Sequence, residues 1–511
     1  MTTTRRSTRR GRPTRSEAAV PQLPWRRLEN PFPPLLLASP DQIEDLHRAS
    51  LRILSEFGIR VMGARVLDLF AAAGARVDRS EGVVRLDHEL IEAALATAPP
   101  EVTLTPRNPD RAVRIGGNSV VFGLVAGPPN VHDRIGGRRT GNMTDYANFI
   151  RLAQYFNAIH MIGNQVTAPQ ELPANTRHLD AYRANLTLSE LTYHCTAIGR
   201  GRAMDGIRMM AIARGITLDE MARSPGVTTI ISVNSPRLFD AEMGEGLIAM
   251  AEHGQPVTIT PFTLMGAMTP VTLAAALAQQ NAEALFGVVL TQLVRPGAPV
   301  IYGAFTSNVD MRSGAPAFGT PENARANVIS GQLARRYGLP YRTSNANASN
   351  VVDLQATYET VMSTWGAVLG GANLIYHAAG WLEGGLTASY EKLVLDVEIL
   401  QNMMEFLRPF DTSEGEMGLD AIAAVPTGGH FFGAEHTMQR YETAFYRPLL
   451  SDWANFGAWS AAGEKTALDR ATEVWQAALA DYEEPAMDPA IREELDAYVA
   501  RRKAEIGTDE P

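Results

Sequence analysis

Apolar residues first recur at near-helical intervals. Across residues 40–57, Ile43, Leu46, Leu51, Ile53, Leu54 and Phe57 share one side of a predicted helix, and Ser39 or Asp41 stands where its cap belongs. A second helical stretch follows at 64–73, and VVRLDHELIEAALATAP and VTLTPRNPDRAVRIGG read as a strand, a short helix and a small β element. Residues 28–118 are therefore expected to form an α+β N-terminal region. From about residue 120 the pattern changes to continuous apolar runs at 120–126, 158–166, 193–199, 227–234, 256–262, 299–305, 340–345 and 372–380. Such continuity, rather than alternation, marks parallel strands covered on both faces. Helix-length segments such as 143–156, 241–254, 272–294 and 321–338 lie between them, with Pro270 and Pro321 near starts and Gly254 and Gly338 at ends. Eight strand–helix repeats predict an α/β chain built as a (β/α)8 barrel over 119–399, followed by a mainly helical extension over 400–511. The main competitor, a doubly wound open sheet, lacks its mark, because no G-x-G-x-x-G follows any of these strands.

Composition narrows the chemistry. Of 511 residues, 45% are hydrophobic and 20% charged, the usage of a globular chain rather than a disordered or collagen-like one. The single cysteine, Cys195, excludes an internal disulfide and any thiolate-based zinc or iron–sulfur site, and fits a reducing, cytoplasmic compartment. A net charge of −10 argues against a nucleic-acid partner. Residues 1–27, by contrast, hold eight arginines and one glutamate without apolar periodicity, and are expected to be a disordered basic tail. A docking arm for an acidic partner is the sharper alternative. The tail lacks the apolar stretch of a secretory signal, so none is expected. The uncharged run from Thr360 to Leu382 reaches the roughly 20 residues of a membrane span. Its glycines, with Ser363, Thr364, Asn373 and His377, instead predict a buried helix, turn and strand.

A barrel of this kind places its active site at the C-terminal ends of the strands. Those ends carry Asn164, Gln165, Asn234, Phe262, Phe305, Thr306, Ser344, Asn345, Tyr376, His377 and Trp381, with Arg312 and Glu383 just beyond. The set is aromatic and neutral polar. No H-E-x-x-H, P-loop or G-x-S-x-G occurs, and the ten histidines show no metal-ligand spacing, so no metal of the chain's own is expected. His430 and His436, six apart, are read as structural or substrate-side residues. What remains suits an organic cation, since a desolvated ammonium over an aromatic face gains about 2 kcal/mol or more. Phe262, Phe305, Tyr376 and Trp381 are the candidates for such a cage, although an aromatic at a strand end is more often plain core packing. His377 is expected to orient the ligand, and Arg312 to pair with a ligand carboxylate or tether its own loop.

At these residues the chain resembles the trimethylamine:corrinoid methyltransferase family, from about residue 28 to 480. The likeness rests on SVNSPRLFDAEM (232–243), PVTLAAALAQQNAE (270–283), QLVRPGAPVIYGAF (292–305), DMRSGAPAFGTPE (310–322), ARRYGLPYR (334–342), GANLIYHAAGWLEGGLTASYEKLVLDVE (371–398) and PTGGHFFGAEHTMQRYE (426–442), long segments that agree in order. The resemblance implies a TIM-barrel enzyme that moves a methyl group from a methylated amine to the Co(I) of a corrinoid (cobalamin) held by a separate protein. Founding members carry pyrrolysine for tertiary amines. This chain has only standard residues, and so resembles the relatives that act on quaternary amines such as glycine betaine. Where the family often reads T-D-A-K before V-x-D-x-Q, this chain has Asn347, Ala348, Ser349 and Asn350. That departure falls in the expected active-site loop and bears on the usual polar contacts with substrate.

A quaternary N-methyl group already carries a neutral leaving group, so the implied transfer needs neither a general acid nor a metal from this chain. Proximity and orientation supply roughly 7–11 kcal/mol, and the nucleophile is the cofactor's. The expected partners are a small quaternary amine of betaine type and a cognate corrinoid protein, with no nucleic acid and no membrane. A homo-oligomer is implied by the family and by apolar segments such as 456–463. His377 is the expected catalytic residue. Phe262, Phe305, Tyr376, Trp381, Arg312, Asn345, Asn350, Glu383, His430 and Phe431 are the expected substrate-binding residues, the last two folding back with Phe432 from the extension to the mouth. Two other readings stay open: a catalytically silent betaine-binding relative, and a corrinoid methyltransferase for a different donor such as a sulfonium.

Overall fold

Each of the eight apolar runs holds one strand of a closed parallel barrel. In the computed structural model, which describes residues 19–163 and 165–507, they are β1 (Ser119–Leu124), β2 (Met161–Ile162), β3 (Thr192–His194), β4 (Val227–Ile231), β5 (Val257–Ile259), β6 (Val300–Gly303), β7 (Tyr341–Ser344) and β8 (Leu374–Ala379). They pair in chain order, and β8 closes on β1 with Leu374 opposite Val121 and Ile375 opposite Phe122. The returning helices are α1 (Met143–Tyr155), α2 (Arg177–Leu188), α3 (Arg200–Arg214), α4 (Ala241–Glu252), α5 (Leu273–Val294), α6 (Pro321–Arg336), α7 (Leu354–Leu369) and α8 (Tyr390–Phe406). Helices outside and side chains inside explain why the strands are apolar on both faces. Helix starts are set locally: Pro321 opens α6, and the side chains of Asn142, Asp353 and Ser389 cap α1, α7 and α8. Among the described residues α5 alone is long and apolar enough to cross a membrane, and 83% of its most apolar window is buried within the protein. The uncharged run 360–382 forms the end of α7, a turn and β8, as its glycines predict.

The barrel is sealed at the N-terminal end of its strands. An antiparallel hairpin, Glu101–Leu104 with Val113–Gly116, turns Val102, Leu104, Val113 and Ile115 onto Val121, Met161, Ile230, Ile301, Leu374 and Tyr376 of the barrel interior. Each such aliphatic side chain contributes about 1.5–3 kcal/mol when fully buried. Helices Pro40–Arg52, Ala64–Ala72 and His88–Leu95 pack on α5. Ser39 caps the first of them in a full capping box with Gln42, and beyond Arg52 the predicted helix widens into a π turn, Ile53–Phe57, before Gly58. A small sheet of Ile59–Val61, Arg76–Asp78 and Val83–Arg85 takes Leu238–Phe239 from the loop after β4 as a parallel fourth strand. The N-terminal region is thereby knitted into the barrel.

The C-terminal part is helical. α8 runs past residue 400 to Phe406, Ala467–Asp481 packs on α8 and α1, and Pro489–Ile506 packs on α2 and α3. This last helix is pinned by Tyr498 Oη and Arg502 Nε, which donate to the buried Asp205 at 2.6 and 2.8 Å. Between α8 and Ala467–Asp481, a segment holding four short helices leaves Phe410, Phe432, Phe445, Trp453 and Phe456 exposed. Of the basic tail expected over 1–27, residues 1–18 lie outside the described residues. Residues 19–27 pack on the barrel instead: Val20 is buried, Leu23 N–H donates to Gln401 at 2.7 Å, and Arg27 Nε donates to the Ala112 carbonyl at 2.9 Å.

Candidate active site

At the open end of the barrel lies a cavity of about 370 Å³. Its upper wall is aromatic. After short breaks β5 and β6 resume as Phe262–Met265 and Phe305–Val309, paired in parallel so that Phe262 stands opposite Phe305. Their rings meet edge to face at 5.1 Å, and Phe318 from the following loop stacks behind Phe305 at 5.2 Å. Trp381, just past β8, completes the wall and is held by its indole N–H, which donates to the Asn347 carbonyl at 3.2 Å. Gly385 backs that indole at φ +105°, and a Cβ there would lie 2.5 Å from the Trp381 ring.

The floor is different in kind. Arg342, on β7, is 1% exposed, has no salt-bridge partner among the described residues, and leaves Nε and Nη1 without hydrogen bonds. Its guanidinium carbon lies 5.1 Å from the ring of Tyr376 and 5.7 Å from that of Phe305. Burial pulls its pKa down to about 10, which still leaves it charged at neutral pH. Beside it, His194 accepts the Ile230 N–H on Nε2 at 2.8 Å, so the proton of the neutral ring sits on Nδ1, which is buried without a partner among the described residues. Burial, then the charge of Arg342, lower the His194 pKa to about 3. His377 is held well below its ordinary value by burial, then by Arg342 and His194. Its Nδ1 lies 3.1 Å from Ser344 Oγ, its ring 4.2 Å from Trp381, and its φ of +54° marks a break in the β8 register. Such a conformation in a non-glycine residue costs about 1–3 kcal/mol and is fixed by its surroundings.

A buried ion pair braces this side of the mouth. Lys392 Nζ donates to Asp396 Oδ2 at 2.7 Å, to Thr360 Oγ1 at 2.8 Å and to Asn347 Oδ1 at 3.1 Å, while Asp396 accepts the Gly380 N–H at 2.8 Å. The loop after β7 and the exit of β8 are thus tied to α8 next to Trp381.

Phe262, Phe305, Trp381 and His377 line the cavity together. Tyr376 does not: successive residues of β8 face opposite ways, and its ring is buried beneath Arg342 among interior side chains. Arg312 is exposed in a turn made by Asp310, away from the cavity, so the buried cation of the site is Arg342 instead. Asn345 is a buried tie from β7 to β8, donating to the Ala378 carbonyl at 3.2 Å, and Asn350 is exposed. Glu383 pairs with Arg138 at 3.0 Å and turns the chain so that Gly384 and Gly385 line the cavity. His430 borders a separate cavity made wholly by residues 414–440, and Phe431 is half exposed. Within one chain neither reaches the mouth, because the short helices around them pack on one another. Asn164 lies outside the described residues. Sequence reasoning passed over Arg342, His194 and Phe318; the available signal for the first was a lone charge inside a strand run covered on both faces.

Around the cavity, loops after β3, β5, β6, β7 and β8 expose Ile198, Val271, Met311, Val351 and Leu386, and the first turn of α7 exposes Leu354. An apolar rim of this sort suits contact with another macromolecule.

A family model described as trimethylamine methyltransferase (MTTB) matches residues 4–507. The chain is 36% identical over 479 residues to the glycine betaine methyltransferase of Desulfitobacterium hafniense (strain Y51), an alignment covering 94% of this chain and 99% of that one. It is 29% identical over 418 residues to the proline betaine:corrinoid methyltransferase of Eubacterium limosum, covering 78% and 84%. Trimethylamine methyltransferase MttB of Methanosarcina barkeri (strain Fusaro / DSM 804) is 28% identical over 480 residues, covering 91% and 94%.

Proposed function

Because the chain belongs to the trimethylamine methyltransferase family and is a methyltransferase, we propose that it takes a methyl group from a betaine-type quaternary amine and passes it to a corrinoid carried by a separate protein. The observation that carries this reading is the cavity floor, where, among the described residues, Arg342 Nε and Nη1 and the Nδ1–H of His194 are buried donors without an acceptor. A carboxylate seated against them would supply the missing acceptor, with hydrogen bonds to a charged group worth about 1.5–3 kcal/mol each. An ammonium without a carboxylate would meet the charge of Arg342 uncompensated. The site therefore favours a zwitterion, its carboxylate down on Arg342 and His194 and its ammonium up against Phe262, Phe305 and Trp381.

The cavity of about 370 Å³ suits a small zwitterion and not a macrocycle, whereas the apolar rim suits a protein that carries one. A corrinoid docked there supplies the cobalt nucleophile. This chain's part is to aim one N-methyl group at the mouth, exclude water from the ammonium, and release a tertiary amine that leaves neutral and takes no proton from the protein. His377, neutral and fixed by Ser344, offers the donor a ring face rather than an acid. We infer a homo-oligomer assembled through the exposed aromatics of 410–456, checked by sedimentation at micromolar concentration. We also infer a cytoplasmic setting, in which the buried Cys195 thiol, pushed up to about 12 by burial, stays reduced.

The test is a donor panel of glycine betaine, proline betaine, carnitine, choline and trimethylamine, offered with the reduced cognate corrinoid protein and read by methylcobalamin absorbance. Carboxylate-bearing quaternary amines are expected to react and choline and trimethylamine to lag. Trimethylamine turnover equal to that of the best betaine would overturn the reading. Betaine binding with no methyl transfer would make the chain a silent binder.

A further inference from the structure

The geometry points to a metal site outside the barrel: we propose that His47, His88 and Glu92 bind a divalent transition metal, zinc first among them. Sequence spacing joins only His88 and Glu92, at i and i+4, while His47 lies far from both along the chain. The fold brings the three together by laying helices Pro40–Arg52 and His88–Leu95 side by side on α5. His88 and Glu92 stand one turn apart on the same helix face, and His47 reaches them from the other helix. One ligand atom from each lies within 4.8 Å of the others, with His47 Nε2 3.8 Å and His88 Nδ1 4.0 Å from Glu92 Oε1.

Two features distinguish this group from a chance meeting of surface side chains. The His47 side chain is only 3% exposed, and its Nδ1 lies 3.0 Å from Tyr337 Oη, which itself accepts from Asn281 Nδ2 at 2.8 Å. The ring is therefore fixed by a buried network with Nε2 turned outward, the arrangement that orients a ligating histidine. Arg336, the nearest cation, is matched by Glu44 at 2.6 and 2.8 Å, which leaves Glu92 as the net charge facing the gap.

Tetrahedral zinc with bonds of about 2.0–2.1 Å sets its ligand atoms roughly 3.3 Å apart. The observed separations are wider by less than a side-chain rotation, and the two ligands that must move, His88 and Glu92, are 55% and 46% exposed and free to do so. Two imidazoles and a carboxylate leave a fourth position for water and suit zinc over calcium or magnesium. None of the three residues lines the mouth cavity, so the bound ion would act as a staple between two N-terminal helices, not as a reagent.

The experiment is titration of the chelator-treated full chain with Zn(II), read both by calorimetry and by the thermal midpoint. One equivalent is expected to bind at micromolar concentration and to raise the midpoint. His88→Ala and Glu92→Ala, both exposed, are expected to fold with an unchanged metal-free midpoint and to bind at least tenfold more weakly. No uptake at micromolar zinc, or uptake that survives both substitutions, would overturn the proposal.

Discussion

Arg342 holds its guanidinium carbon 5.1 Å from the ring of Tyr376 and 5.7 Å from that of Phe305. Tyr376, one of the rings that the sequence offers to a ligand cation, is therefore taken by a cation of the protein's own, which also borders Phe305. Among the described residues no carboxylate pairs with Arg342.

Arg342→Met removes that charge and keeps a polarizable side chain against both rings. The loss of a buried, hydrogen-bonded charge partner should weaken carboxylate-bearing donors by about 2–5 kcal/mol, at least roughly 30-fold in affinity. The melting midpoint without ligand should not fall, because an unpaired buried cation costs stability. Calorimetry with glycine betaine and a thermal scan of the same preparation check both halves.

Among the aromatics, Phe262→Ala and Trp381→Ala should each weaken quaternary-amine binding by about 2 kcal/mol, again near 30-fold, and loss of the buried Trp381 ring should also lower stability. Tyr376→Ala should instead open a void in the barrel interior at about 3–5 kcal/mol, seen in urea unfolding. Equal affinity in all three folded variants would move the ammonium site elsewhere.

Lys392→Met strands Asp396 in a fully buried setting, for which the expected loss is about 3–5 kcal/mol. Replacing both partners, Lys392→Met with Asp396→Leu, should lose less. Because the pair also holds Asn347, whose carbonyl accepts from Trp381, the double variant should bind donor more weakly even where it folds well. Denaturation and binding on the same two variants separate these effects.

Stability should fall on mild acidification. The pKa values of His47 and His160 drop from 6.5 to about 4 and that of His194 to about 3, in each case chiefly through burial. Below 6.5 the unfolded chain takes up protons that the folded chain refuses, so the contribution is complete above that pH and is lost toward pH 4. Each such histidine adds about 1.4 kcal/mol per pH unit inside its window. Turnover between pH 6.5 and 8 should stay flat, since the transfer as proposed uses no general acid; urea midpoints and initial rates across the range check the two statements.

The barrel was legible because strands covered on both faces write themselves as unbroken apolar runs, and all eight runs hold a strand. Phe262, Phe305, Trp381 and His377 were legible as strand-end residues for the same reason. Tyr376 was not separable from His377 by spacing, because which neighbour faces the cavity depends on the break in β8. Phe318 sits in a loop whose path no periodicity describes. Arg312 drew attention as a charge in a loop, while Arg342, inside the run 340–345, carried the stronger signal: a cation in a buried strand must either find a partner or wait for one.

The hairpin beneath the barrel makes it a vessel with a single opening. For the reaction proposed, donor entry, cobalt approach and amine departure share one doorway, so they must take turns. Donor has to arrive before the carrier protein seats, and the spent amine cannot go until the carrier lifts off. Crowding the enzyme with carrier would then slow the cycle rather than speed it.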